Sequence, residues 1–351
     1  MKPYPNRIAR FVLLLSIVVG LMACKPNPQD DIALFQPFIT ENINKKSADP
    51  YISSTVKPGD KMYDILVNIQ HGKHDIASNK LQSLIEGNDS DAMVWYAKLI
   101  YRASVNNRPK ALSLYQKAMD DGNPYAYIML SPGLISSGCV SYFGEKNCTL
   151  EHFNKAIELF KPLAAQGDLR AQYFLLQQQE LEKSKETRAQ YIQEVIRFSQ
   201  AHYYQPLMDY VNTILTRPQG KDKYEARTTE QYNLAIDLLT IASNNNYILA
   251  IKRLLEVDLD EEIFTKRMEQ LTRLGSTFEI YENYFNSQDE YERYYYSMLF
   301  KQLTGDNKLS SSYRATDDEV KMINEKIEKV ISSMTPMVYI DGFTSRDDWV
   351  D

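Results

Sequence analysis

The chain has 351 residues, enough for one large domain or two ordinary ones. Hydrophobic residues make up 44% and charged residues 25%, and the 13 Gly and 14 Pro are too few for a turn-rich all-β fold. A formal net charge of −6 disfavours a nucleic-acid partner, which needs a basic surface.

Residues 1–24 read MKPYPNRIARFVLLLSIVVGLMAC. Lys2, Arg7 and Arg10 form a basic start, and Phe11 to Met22 is an apolar run broken only by Ser16 and Gly20. That run is too short for a bilayer span of about 20 residues. It matches the apolar centre of a signal peptide. Its end, Leu21-Met22-Ala23-Cys24, resembles a bacterial lipobox, with Met22 a less common residue at its position. The resemblance implies a signal peptide over 1–23, acylation of Cys24 and a membrane anchor through that lipid. Lys25 follows where an aspartate would retain the protein in the inner membrane, so the same resemblance implies the outer membrane, facing the periplasm. Of the 40 basic residues the signal peptide takes three, leaving 37 against 46 acids in the mature chain. That acidity suits solubility, or a basic partner. Residues 25–60 hold Pro26, Pro28, Pro37, Pro50 and Pro58 among many Asn, Ser and Asp. The expectation over 24–60 is a lipidated cysteine on a flexible tether.

A spaced pattern then recurs. Ala111 is followed by Ala118, Gly122 and Ala126; Ala156 by Leu163, Gly167 and Ala171; Ala235 by Ala242, Asn246 and Ala250. An earlier copy has Ala77, Leu84, Asn88 and Ala92, and weaker copies are expected near 190–205 and 264–279. Residues seven apart lie on one helix face, and small ones let a partner helix approach. Gly or Asn at the third position suits the left-handed residue that ends a helix. Each unit therefore reads as a helical hairpin. The segments PKALSLYQKAMDDGNPYAYIML (109–130) and NKAIELFKPLAAQGDLRAQYFL (154–175) resemble Sel-one-like repeats, relatives of tetratricopeptide repeats. Lys110, Ala111, Tyr115, Ala118, Gly122 and Ala126 fit that pattern, as do Lys155, Ala156, Ala164, Gly167 and Ala171. The clear resemblance covers less than half the chain, and Pro162 sits where it would kink the first helix of its hairpin.

With Cys24 lipidated, Cys139 and Cys148 remain, in an oxidising compartment. A disulfide is expected between them, contributing about 2–3 kcal/mol on the chain-entropy model. A metal site is the alternative, but only His152 lies near and two thiols alone hold zinc poorly.

Beyond residue 256 the apolar and aromatic residues recur every three or four positions, with a last helix expected over 317–333 and an irregular tail or short strand over 335–351. Candidate chemistry is sparse. His71 and His74 flank Gly72 and read as solvated loop residues. Ser54-Thr-Val-Lys57 fits Ser-x-x-Lys without its companion motifs. Asp258, Asp260, Glu261 and Glu262 lack the glycine of a calcium loop and read as a solvated helix start. No residue is assigned to catalysis, a metal or a cofactor. Tyr291, Tyr294, Tyr295 and Tyr296 are a candidate contact region, because three consecutive tyrosines cannot share one helix face and exposed tyrosine is enriched at interfaces.

The expected fold is all-α, a solenoid of Sel-one-like, tetratricopeptide-like hairpins over 61–256 with a helical C-terminal cap over 257–334 and a tail over 335–351. Similarity to envelope members of that repeat class implies a protein-binding, non-enzymatic lipoprotein. The sharper expectation is a periplasmic immunity protein against a secreted toxic effector of phospholipase type delivered by type VI secretion. The alternative is a scaffold for an envelope complex.

Overall fold

The turns expected from the alanine spacing are all built the same way. In the computed structural model, which describes residues 27–132, 138–217, 225–257 and 261–350, positive φ angles fall at Asn88 (60°), Gly122 (77°), Gly167 (97°), His202 (59°), Asn246 (61°) and Gly275 (81°). In each case the next N–H reaches back five residues, Asn123 to the Ala118 carbonyl at 2.9 Å and Asp168 to that of Leu163 at 3.1 Å. The same closure joins Asp89 to Leu84, Tyr203 to Phe198, Tyr247 to Ala242 and Ser276 to Leu271. This left-handed closure satisfies the carbonyls that a helix end leaves free. Asp89, Asn123 and Asp168 then accept from amides of the following helix, so one residue both ends the turn and caps the next helix. The copy expected from 190 starts one residue later, since the left-handed residue is His202.

The described residues form 17 α-helices and no strand; an isolated antiparallel bridge pairs Thr216 with Glu225. The first is α1 (Pro28–Asn42), followed by α2 (Tyr63–Gln70), α3 (His74–Glu86), α4 (Ser90–Ile100), α5 (Arg108–Asp120) and α6 (Pro124–Met129). A short α7 (Cys139–Phe143) leads to α8 (Leu150–Ala165), α9 (Leu169–Gln177), α10 (Arg188–Gln200) and α11 (Gln205–Ile214). Then come α12 (Thr229–Asn244), α13 (Ile248–Val257), α14 (Glu261–Arg273), α15 (Phe278–Asn286), α16 (Glu290–Thr304) and α17 (Asp317–Ser333). Most helices pack on the next in chain order. The alanines at the repeat positions, from Ala77 to Ala250, are fully buried, which lets neighbouring helices meet closely. Pro162 lies near the end of α8, and the helix runs on through it to Ala165. Cys139 and Cys148 are joined in the segment between α6 and α8.

The tether expected over 24–60 is overturned from Pro28 onward. Asn27 caps the helix, Pro28 occupies its first turn with Asp30 and Asp31, and Phe35, Phe38 and Ile39 form a buried stripe. Helix α1 packs on α10 and α12, far away in sequence. Asp31 is fully buried and takes the Arg188 guanidinium as a fork, Nε to Oδ1 at 3.0 Å and Nη2 to Oδ2 at 2.6 Å, with Tyr210 donating at 3.1 Å. Removing one partner of such a pair costs about 3–5 kcal/mol. Residues 43–62 continue on the body: the Ser47 amide reaches the Asn244 carbonyl, and Asn246 Nδ2 the Asp49 carbonyl at 3.0 Å. Of the prolines read as a tether, Pro28 sits in the first turn of α1, Pro37 inside that helix, and Pro50 and Pro58 in turns.

The C-terminal helices hold a core of their own, with Ile280, Tyr295, Leu299, Phe300, Leu303, Ile323 and Ile327 buried together. Helix α17 begins at Thr316, whose side chain and that of Glu319 cap each other's amides. Glu279 on α15 is the exception in this region. Burial raises its carboxyl to about 7, against a hydrogen bond from Asn283, and its Oε2 has no partner. The folded chain therefore keeps a proton on Glu279 that the unfolded chain loses above about 4.5. Its contribution to stability falls as pH rises from about 4.5 to about 7. Glu279→Gln is expected to raise the melting temperature at pH 8 more than at pH 5; an equal shift at both would contradict this reading, with differential scanning calorimetry as the measurement.

Candidate functional site

The segment after α17 is irregular, as expected, but it is no free tail. Met337, Val338 and Ile340 have no exposed surface, Tyr339 has 4%, and Trp349 is fully buried. An apolar run with no helix of its own must take its hydrogen bonds from elsewhere, and the body supplies them. Thr335 and Met337 donate to the carbonyls of Arg273 and Leu274 at the turn after α14. Gln70, at the end of α2, donates to the Met337 carbonyl at 3.0 Å and accepts from the Tyr339 and Ile340 amides at 2.9 and 3.3 Å. The Thr55 amide and hydroxyl reach the carbonyls of Val338 (2.8 Å) and Ile340 (2.7 Å), and Ser54 accepts from the Val338 amide at 2.9 Å. Tyr63 donates to the Pro336 carbonyl at 2.7 Å.

From Asp341 onward the segment crosses a row of aromatic rings. Asp341 accepts from the amides of Phe343 and Thr344 and from Tyr203, making a tight turn. Gly342 lies flat on Tyr125: a Cβ there would stand 2.3 Å from the ring. Phe343 stacks on Phe174 at 5.2 Å and meets Tyr125 and Phe160 at 5.0 and 5.3 Å. Trp349 meets Trp95 at 5.4 Å. Lys98 on α4 is 4% exposed and donates to the carbonyls of Gly342 (3.0 Å) and Thr344 (3.1 Å), with Trp95 and Trp349 beside its ammonium. Desolvation pushes this amine down to about 8, partly opposed by Asp341. Arg102 pairs with Asp347 at 2.9 Å. The candidate site is thus a groove along α2, α4, α6 and α9 that receives an extended polypeptide, mostly through main-chain atoms.

The residues singled out from the sequence fall elsewhere. Cys24 lies outside the described residues, as do Asp258 and Asp260. Glu262 stands at the start of α14. Of the tyrosines, Tyr295 is 7% exposed and belongs to the C-terminal core, so it offers no contact surface. Tyr291 and Tyr294 pack on Tyr313, and Tyr296 on Tyr295, all half-buried. The exposed aromatics nearby are Tyr281 (37%) and Phe285 (54%) on α15, with ring centroids 4.7 Å apart. His71 is 6% exposed rather than solvated, with Nε2 2.7 Å from the Gly275 carbonyl, and His74 starts α3. Ser54 belongs to the groove wall. Among the described residues no three His, Cys, Asp or Glu come together as a metal site, and no helix is long and apolar enough to cross a membrane. The groove residues went unread because Gln70 and Lys98 look like ordinary solvated positions. The signals that could have found them are a lysine in the apolar run MVWYAKLI, and MVYI in a stretch otherwise lacking helix period.

No family model, curated protein or solved structure matches the chain.

Gln70→Leu keeps the volume of the side chain but removes its hydrogen bonds to three buried main-chain groups. At about 1–3 kcal/mol each, partly relieved by relaxation, the expected loss of stability is about 3–5 kcal/mol. Urea unfolding followed by tryptophan fluorescence measures it, and a loss under about 1 kcal/mol would contradict the role given to Gln70.

Proposed function

We propose that this chain is a non-catalytic, protein-binding lipoprotein of the cell envelope, built as a solenoid of Sel-one-like hairpins and anchored through acylated Cys24 to the periplasmic face of the outer membrane. The observation that carries the reading is the groove itself. It holds an extended segment through Gln70, Thr55 and Lys98, which address main-chain atoms, and through aromatic pockets that address side chains. Recognition of that kind suits polypeptide better than a small metabolite. The repeated alanine spacing and the six identical left-handed turns support the Sel-one-like assignment.

The sharper form of the proposal is an immunity protein that neutralises a secreted, phospholipase-type effector. Helix α1 starts only four residues after Cys24, a reach of at most about 14 Å. A binder held so near the bilayer stands where a lipid-attacking toxin must act. The scaffold alternative draws on the exposed Tyr281–Phe285 pair, which gives the C-terminal helices a second contact surface apart from the groove.

Affinity capture tests the reading. With the tagged, lipid-free chain from residue 25 as bait in the producer's lysate and secreted fraction, one stoichiometric partner with hydrolase features is the expected result by mass spectrometry. Several envelope proteins would move the assignment to the scaffold, and none from either fraction would contradict both.

A further inference from the structure

The C-terminal segment has two parts with different attachments. Residues 337–340 belong to the main core, as does Trp349, and residues 335–340 are sewn to the body at almost every main-chain group. Residues 341–350 are held differently, because most of their hydrogen bonds close within the segment. Asp341 takes the amides of Phe343 and Thr344, Ser345 that of Asp347, and the Thr344 carbonyl the Trp349 indole. Their polar contacts with the rest of the chain are Lys98 on two carbonyls, Tyr203 on Asp341, Arg102 on Asp347 and the Tyr339 hydroxyl on the Trp349 carbonyl at 3.1 Å. A piece that keeps its own turns can leave and return as a unit.

The groove is also wider than its occupant. Clefts of about 230, 340 and 630 Å³ flank residues 341–348. The 340 Å³ cleft is lined by Tyr125 and Arg170, and the Tyr125 hydroxyl is buried there without a hydrogen-bond partner. The segment thus leaves unpaired a donor that a carboxylate-bearing ligand could use. Arg170 and Lys61 line this cleft beside Asp60 and Asp91, while Lys98 and Arg102 line the 230 Å³ one.

We propose that residues 341–350 are a displaceable strap that masks, in cis, a groove for an extended acidic and aromatic segment of a partner protein. The proposal rests on the protein-binding reading above and adds the recognised chemistry. Main-chain carbonyls go on Lys98, an aromatic ring goes on Phe174, a small residue goes on the face of Tyr125, and carboxylates go beside Arg102 and Arg170. The strap competes as a tethered ligand at an effective concentration on the order of millimolar, so a free peptide meets a masked site until a tighter partner displaces the strap.

Two measurements on the full mature chain decide the matter. In hydrogen exchange, the amides of residues 343–349 are expected to exchange at least about tenfold faster than those of 337–340, by an opening that does not steepen with low denaturant. Exchange of both groups only through global unfolding would overturn the proposal. In the second, a fluorescein-labelled peptide of residues 341–350 is titrated into the wild-type chain and into the doubly substituted Phe343→Ala, Trp349→Ala chain, whose helicity and melting are checked first. The peptide is expected to bind the substituted chain at least about tenfold more tightly than wild type. The same peptide with both aromatics changed to alanine should not bind. Equal binding to both chains, or binding to neither, would overturn the proposal; if the substituted chain does not fold, the exchange result decides. Both readouts use only this chain and its own peptide, so a failed partner capture overturns the partner reading alone, and failed peptide binding the strap alone.

Discussion

Gln70 makes three hydrogen bonds, all to main-chain atoms of residues 337–340, from a side chain that is 4% exposed. That contact joins α2 to a segment some 270 residues later, and the other long-range ties gather around it. Thr55 and Ser54 bring in the N-terminal stretch, Leu274 the turn after α14, and Tyr63 the start of α2. A file of hairpins that contact mainly their chain neighbours has little to hold its two ends in register. Here the C-terminal segment runs along the hairpins and closes them, while α1 crosses to α10 and α12 through Asp31 and Arg188.

This division explains what the sequence could and could not convey. Turn chemistry is local, so the spacing alone placed Gly122, Gly167, Asn88 and Asn246 at left-handed positions, where they lie. Gly275, at the weak copy after Phe264, follows the same rule, and the last helix begins at Asp317 as its acids suggest. The disulfide was expected from the two cysteines left once Cys24 is read as lipidated, and Cys139 and Cys148 are joined. Long-range pairing leaves no such mark. Nothing in Pro28–Asn42 announces that Asp31 will meet Arg188, and its prolines suggested a tether. Nothing near Trp349 announces Trp95. The tyrosine cluster is divided for a related reason: three tyrosines in a row must face different ways, and here Tyr295 turns to the core while Tyr294 leans on Tyr313.

The groove meets the C-terminal segment mainly through main-chain groups. The buried Gln70 and Lys98 and the half-buried Tyr203 are turned to its carbonyls, amides and a carboxylate. Desolvation of Lys98, which pulls its amine down to about 8, marks how completely the segment covers it. Asp347 pairs with Arg102, and Asp341 lies close enough to Lys98 to oppose part of that shift.

That the C-terminal segment holds the hairpins together is tested most directly by the unfolding of a chain spanning residues 25–334. Its melting temperature is expected to be lower by about 10 °C or more than that of the chain from residue 25 to the end, for the loss of several kcal/mol of burial and hydrogen bonding, with exchange protection lost first in α2 to α4. Unfolding indistinguishable from that of the full chain would show that the segment merely rests on a body already complete without it.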